Sequence, residues 1–381
     1  MRVVQVNGAF DPRLATPNAL LDAYHTLTGW SDALVGTGVS TSVVQAFTED
    51  GSVHRRGVDY IFCRQRRSDL DPFLAAVVGC EPDIVHVNGF EAPDAARGLR
   101  RVLPASVPIV LQHHGGKPPR RLSALGRTMR STMNQADAFL FTSVAQAQPW
   151  IDRGYISPDA AVFDVPEAST AIAPVPRDEA QAKTGLDGSP SFLWVGRLDT
   201  NKDPLTVLAG FERALEAVPG AALTMVFGAD DLLGEVRRRI EASAKLRERV
   251  RLIGAVPYGD MADWYSSADL FVLGSHDESC GYALIEACAC GVTPVVTDIA
   301  PFRAITSSGS IGYHWRVGDS DSCASALTRA VAQLGNQSRR IVLDHFAASL
   351  SWTAVGRRAR AIYEAVIAER ASKGHTARML D

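Results

Sequence analysis

The chain has 381 residues, 46 % of them hydrophobic, which is enough for two or three domains each with its own core. A formal net charge of −3 gives no general electrostatic reason to hold nucleic acid, and no apolar run is long enough to span a bilayer. Six cysteines (Cys63, Cys80, Cys280, Cys288, Cys290 and Cys323) form no CxxC pair and no spacing suited to zinc, so they read as reduced core residues of a soluble, cytoplasmic protein.

Residues 1–6 already read as a strand rather than a secretory signal. Short apolar strand candidates then alternate with helical stretches. In the first half they are 3–6, 42–47, 59–62, 83–87, 107–111 and 138–142; in the second, 191–195, 222–227, 250–253, 270–273, 293–297 and 309–313. This alternation predicts parallel sheets covered by helices, an α/β fold, and twelve strands are too many for one compact doubly wound sheet. A break rich in proline and glycine falls between Pro166 and Pro190. Two Rossmann-like domains follow, 1–170 and 171–355, with a C-terminal helix over 356–381 that packs on the second domain or crosses back to the first. Its apolar positions Val355, Ala359, Ile362, Tyr363 and Val366 have helical spacing, and the polar tail from Glu369 reads as frayed.

Glu278 and Glu286 are the most informative residues. Residues 283–290 are small and apolar and favour helix, with Ser279 as N-cap and Gly291 at the C′ position. Glu286 then lies on a short buried helix and Glu278 on the loop entering it. The helix start between them offers N–H groups and a positive dipole end. Two carboxylates flanking an anion hole suit a ligand with hydroxyls at both ends and phosphate in the middle, as in a sugar nucleotide. Upstream, a strand ends at Val195, Gly196 turns the chain, and Arg197 and Lys202 follow at the carboxyl edge, where open α/β sheets bind ligands. Such a pair suits a diphosphate leaving group; it also suits an ordinary solvated loop.

Several motifs come in one order: Val195-Gly196-Arg197-Leu198 with Lys202, Ile253-Gly254, Tyr265-Ser266-Ser267-Ala268-Asp269, Glu278 to Glu286, and Gly291-Val292-Thr293-Pro294. Looser matches in the first half are Pro82-Asp83-Ile84-Val85-His86 and Gln112-His113-His114-Gly115. Together they resemble the retaining glycosyltransferases of the GT-B fold, family four. The resemblance implies two Rossmann-like domains facing each other across a cleft, the second holding a nucleotide-sugar donor and the first a hydroxyl acceptor. Arg197 and Lys202 match the pair that grips the donor diphosphate, Glu286 the residue on the ribose, and Glu278 the one facing the sugar. Backbone at Gly196, Cys280, Gly281 and Tyr282 falls where the family meets sugar and phosphate, and Gly254 with Val256 where it meets the base. His114, or its neighbour His113, matches a histidine that bonds to the donor sugar.

The family's retaining chemistry implies no protein nucleophile, and none stands in a recognisable motif here. Asp319 and Asp321 read as a helix-start signal, and no essential metal or other cofactor is expected. Two departures from the family stand out. Ala15-Thr16-Pro17 replaces a glycine pair entering the first helix, with Thr16 as N-cap and Pro17 at N1; Ile299-Ala300-Pro301-Phe302 stands where the family often has Gly-Gly-Xaa-Xaa-Glu, so that Pro301 and Phe302 reshape the acceptor side or the nearby wall. Lys117, Arg120, Arg121, Arg127 and Arg130 alternate with Leu122, Leu125, Met129 and Met133 at helical spacing. This stretch, 117–133, fits peripheral contact with an anionic membrane, a phosphorylated acceptor, or a surface helix whose apolar stripe packs on the sheet. A saccharide, a lipid-linked sugar and a small natural product all remain open as acceptor. A phosphorylase or synthase on the same fold, or a silent sugar-nucleotide binder, is the alternative activity.

Overall fold

The computed structural model describes residues 1–64, 71–90, 93–121 and 123–379. Its contacts divide the chain into two units, Met1–Ser169 with Trp352–Asp381, and Thr170–Ser351.

The first unit is built on an eight-stranded sheet of β1 (Arg2–Asn7), β2 (Ser40–Phe47), β3 (Gly51–Arg55), β4 (Val58–Arg64), β5 (Ile84–Asn88), β6 (Ile109–Gln112), β7 (Ala138–Phe141) and β8 (Ala161–Asp164). The order is β3-β4-β2-β1-β5-β6-β7-β8, parallel except for β3. The inner strands β5, β6 and β7 are mostly valine, isoleucine, leucine and phenylalanine, as covering on both faces requires. Alternate side chains feed two cores. Val4, Val6, Val85, Val87, Ile109, Leu111, Phe139 and Phe141 pack towards Trp150. Val3, Ile84, Val110, Ala138 and Leu140 pack under Val355, Ala359, Ile362, Tyr363 and Val366 of the helix Trp352–Met379. That helix continues through Met379, where the polar composition beyond Glu369 predicts fraying. It lies close on the helix His25–Val35: a Cβ at Gly356 would stand 2.4 Å from the Ala33 carbonyl oxygen. Beneath it runs a buried polar chain. Trp30 Nε1 donates to Tyr363 Oη (3.2 Å), whose hydroxyl donates to His86 Nδ1 (2.7 Å). Burial lowers the His86 pKa to about 3, so the ring is neutral and can accept that bond.

The second unit carries β9 (Ser191–Gly196), β10 (Ala222–Phe227), β11 (Val250–Gly254), β12 (Leu270–Leu273), β13 (Thr293–Thr297) and β14 (Tyr313–Trp315). All are parallel, in the order β11-β10-β9-β12-β13-β14. The winding reverses between β9 and β12, the position at which a doubly wound sheet opens a crevice at its carboxyl edge.

Three expectations change. Strands β3 and β8 are additional to those predicted. β3 pairs with β4 through a two-residue turn at Arg56 and Gly57, both left-handed (φ +51° and +80°), and arginine is a poor turn signal there. The strand expected over 309–313 forms at Tyr313–Trp315 instead, because Ser307, Ser308, Gly309 and Gly312 all take positive φ and turn the chain. The basic stretch is helical only over Ala124–Met133, capped by the Ser123 side chain; Met129 and Met133 are buried in the first unit, Leu125 is exposed, and Leu122 lies outside the described residues. Asp319 does cap the helix Ser320–Ala332, accepting from the Ser322 amide at 2.9 Å.

Replacing Tyr363 by phenylalanine strands the Trp30 N–H and the His86 nitrogen inside the core. The expected cost is about 2 kcal/mol, read as a lower urea midpoint for the transition that reports Trp30 and Trp352.

Candidate active site

β9 and β12 are neighbours, and the loops leaving their carboxyl ends are fastened to each other. Asn201 donates to the Asp277 carbonyl (3.0 Å), its side-chain oxygen accepts from the Asp277 amide (3.1 Å), and its own carbonyl accepts from the His276 amide (2.8 Å). The two backbones run so close that a Cβ at Gly274 would stand 3.0 Å from the Lys202 carbonyl oxygen. Asp203, held left-handed at φ +44°, caps the helix Pro204–Ala214 through the Thr206 amide (3.2 Å) and meets His276 Nε2 at 2.9 Å.

This clasp places the two cations. Arg197 follows Gly196 and is mostly exposed; its Nε and Nη2 lie 2.8 and 2.5 Å from one oxygen of buried Asp199. The other Asp199 oxygen accepts the Lys202 amide at 2.9 Å. Burial pulls the Asp199 pKa up, but the Lys202 amide and the Arg197 guanidinium outweigh it and leave it below the usual range. Lys202 Nζ forms an ion pair with Glu278 Oε1, and Ser275 Oγ donates to that same oxygen at 2.6 Å. The side chains of Lys202 and Glu278 are only 17 % and 12 % exposed, so geometry rather than solvent fixes them.

The helix between the glutamates is Tyr282–Ala289, and its N-cap is Gly281, not Ser279. Gly281 has φ +89°, and a Cβ there would lie 2.6 Å from the Phe302 ring, so both conformation and packing demand glycine. Phe302, one of the two residues that depart from the family, is therefore buried and shapes this loop directly. No side chain caps the helix start, Cys280 is buried beside it and Tyr282 is exposed. Gly291, at φ +74°, ends the element as expected. Glu286 is half-buried, and Tyr265 Oη, wholly buried, donates to its Oε2 at 2.8 Å. Burial raises the Glu286 pKa above the usual glutamate value, partly offset by hydrogen bonds from Tyr265 and Tyr258. Gly254, at φ +91°, ends β11, with Val256 half-buried two residues on.

The histidine candidates lie in the first unit, after β6. His113 is buried, its ring stacked on Phe141 (4.9 Å) and beside Phe90 (5.3 Å), with Nε2 3.2 Å from the Gly116 carbonyl. His114 has a side chain 28 % exposed, with Nδ1 3.9 Å from Glu167 Oε2. Burial lowers its pKa to about 4, so its ring is neutral near pH 7. Thr16 caps the first helix, Pro17–Ala23, by accepting from the Ala19 amide (3.2 Å).

Arg197, Lys202, Glu278 and Glu286 are thus brought together in one unit, and His114 stands in the other. Asp199, Ser275, Tyr258, Tyr265 and Glu167 were not singled out from the sequence. Tyr265 lies inside a quoted motif, but nothing in the motif tells that its hydroxyl reaches Glu286.

Residues 176–341, all within the second unit, match the family Glycosyl transferases group 1. The chain is 25 % identical over 266 residues to the D-inositol 3-phosphate glycosyltransferase of Thermobispora bispora, an alignment that covers 65 % of this chain and 60 % of that protein. It is 26 % identical over 310 residues to the phosphatidyl-myo-inositol mannosyltransferase of Mycobacterium leprae, covering 74 % of each. In structure it is similar to a glycosyltransferase from Rickettsia africae, with a TM-score of 0.73 over 96 % of this chain and 98 % of that one at 14 % identity. The chain thus has the two parallel sheets of the GT-B fold, and its region 176–341, which carries Arg197, Lys202, Glu278 and Glu286, is that of the group 1 glycosyl transferases.

Proposed function

We propose that the protein is a retaining glycosyltransferase that moves a sugar from a nucleotide-sugar donor to a hydroxyl acceptor. The observation that carries this reading is the placement of Arg197 and Lys202 after β9, of Glu278 after β12 in an ion pair with Lys202, and of Glu286 on the helix that follows. In this reading Glu286 accepts from the ribose hydroxyls. The amides of Cys280, Gly281 and Tyr282, with Arg197 and Lys202, hold the diphosphate. Glu278 takes the sugar hydroxyls, Gly196 lets the backbone approach, and Gly254 with Val256 meets the base. The bond from the anomeric carbon to the diphosphate oxygen breaks, and the acceptor oxygen bonds to that carbon on the same face. The acceptor proton passes to the departing diphosphate. Arg197 and Lys202 stabilise the charge that develops there, the work a metal does in other transferases. Glu278, tied to Lys202 and Ser275, is held as a hydrogen-bond acceptor rather than a nucleophile.

The relatives above are named for inositol phosphates or phosphatidylinositol, and the first unit exposes Lys117, Arg120, Arg121 and Arg127. A phosphate-bearing acceptor fits those cations. With Met129 and Met133 committed to the core, contact with a membrane surface would be electrostatic rather than inserted. No described helix is long and apolar enough to cross a membrane.

Glu286→Ala and Lys202→Ala should each lower kcat/KM about a hundredfold or more with circular dichroism unchanged, and EDTA should leave wild-type turnover intact. Near-normal turnover in both variants contradicts the assignment. Because the Glu286 pKa is raised, its carboxylate is fully charged only above that value, and donor affinity should fall as pH drops through it. Tyr265→Phe removes a bond that favours the charged form, so the acid limb of donor binding should move to higher pH in a calorimetric titration. Sedimentation with anionic vesicles should occur at low salt and vanish at high salt; binding that survives high salt contradicts the electrostatic contact.

A further inference from the structure

We propose that Tyr258 completes the nucleoside end of the donor site, its ring stacking on the nucleobase while its hydroxyl holds Glu286 in place. The inference rests on the donor reading above and extends it to a side chain that none of the quoted motifs contains.

Tyr258 stands four residues beyond Gly254, on the loop that follows β11. Like Tyr282 it is exposed, at 52 %, yet its hydroxyl is anchored. Tyr258 Oη lies 3.3 Å from Thr170 Oγ1, and that oxygen accepts from the Ile172 amide at 3.0 Å. The Ile172 amide, Thr170 Oγ1 and Tyr258 Oη form one hydrogen-bonded chain, and the Tyr258 hydroxyl helps keep the Glu286 carboxylate charged. Glu286 thus accepts a hydrogen bond from Tyr265 Oη at 2.8 Å, and the Tyr258 hydroxyl also lowers its pKa. Tyr265 is wholly buried and cannot touch a ligand, whereas Tyr258 is exposed, its hydroxyl held by Thr170.

An aromatic ring tethered at its tip and open along its body is a stacking platform, and stacking tolerates any base because every base has a π-face. Such a platform supplies affinity for the nucleoside and leaves the choice of base to the backbone around Gly254 and Val256. It also couples the two ends of the nucleoside: the residue that stacks on the base is the one that aims the ribose carboxylate.

The test is calorimetric binding of UDP, GDP and inorganic pyrophosphate to the full chain. Tyr258→Ala should weaken both nucleotides roughly tenfold and leave pyrophosphate unchanged. Tyr258→Phe keeps the ring and loses only the hydroxyl, so it should weaken both nucleotides less than Tyr258→Ala does, with the acid limb of binding moved to higher pH. Nucleotide binding by Tyr258→Ala at wild-type strength overturns the proposal. An equal loss for pyrophosphate also overturns it, because the residue would then act on the pocket as a whole. Tyr258→Leu, which keeps apolar bulk, should behave as the alanine variant; wild-type binding there again overturns stacking. A wild-type chain that binds neither nucleotide overturns the donor reading itself, and this proposal with it.

Discussion

Everything at the site depends on the clasp between the loops after β9 and β12. Where a parallel sheet reverses its winding, adjacent loops diverge, and nothing in the sheet itself holds them together. Asn201 closes that gap with both ends of its side chain and its own carbonyl. Only then can Lys202 and Glu278 meet as a half-buried pair, whose attraction outweighs desolvation when geometry is good and partners are satisfied. Ser275 donates to the Glu278 oxygen of that pair, and Asp199 holds the backbone of Lys202 through its amide. Loss of one charge would leave the other half-buried and unpaired, so a substitution at either position disturbs both loops.

The glutamate that holds the ribose in the proposed reading is organised differently. Glu286 sits on a helix whose start is shaped by Phe302 pressing on Gly281, and its carboxylate is satisfied by phenols rather than by a cation. Burial without a counter-charge raises its pKa, while the close cation leaves Glu278 in an ion pair. Two carboxylates on one short stretch of chain thus have distinct electrostatic characters, set by what packs against them.

Much of this was legible in the sequence, for identifiable reasons. Strands covered on both faces must be apolar along their whole length, and runs such as residues 270–273 announce themselves. The cations and carboxylates were legible because their chemistry and order are local. What escaped depends on distant partners. Ser279 is a good cap by propensity, but the ring of Phe302 decides that Gly281 is the cap. Residues 309–313 have the composition of a strand, but the turns around them displace it. That His113 is enclosed by Phe90, Phe141 and Trp150 follows from three separate segments. The roles of Tyr258 and Tyr265 likewise need the position of Glu286 in space.

The first unit is interrupted: the chain leaves it after Ser169 and returns at Trp352. The returning helix supplies Val355, Ala359, Ile362, Tyr363 and Val366 to one face of its sheet. On the ribosome, therefore, the second unit can finish folding while the first still has an uncovered apolar face, although the first was made earlier. Vectorial synthesis runs against the order of completion, and the sheet made first is covered only after the helix from Trp352 has been made.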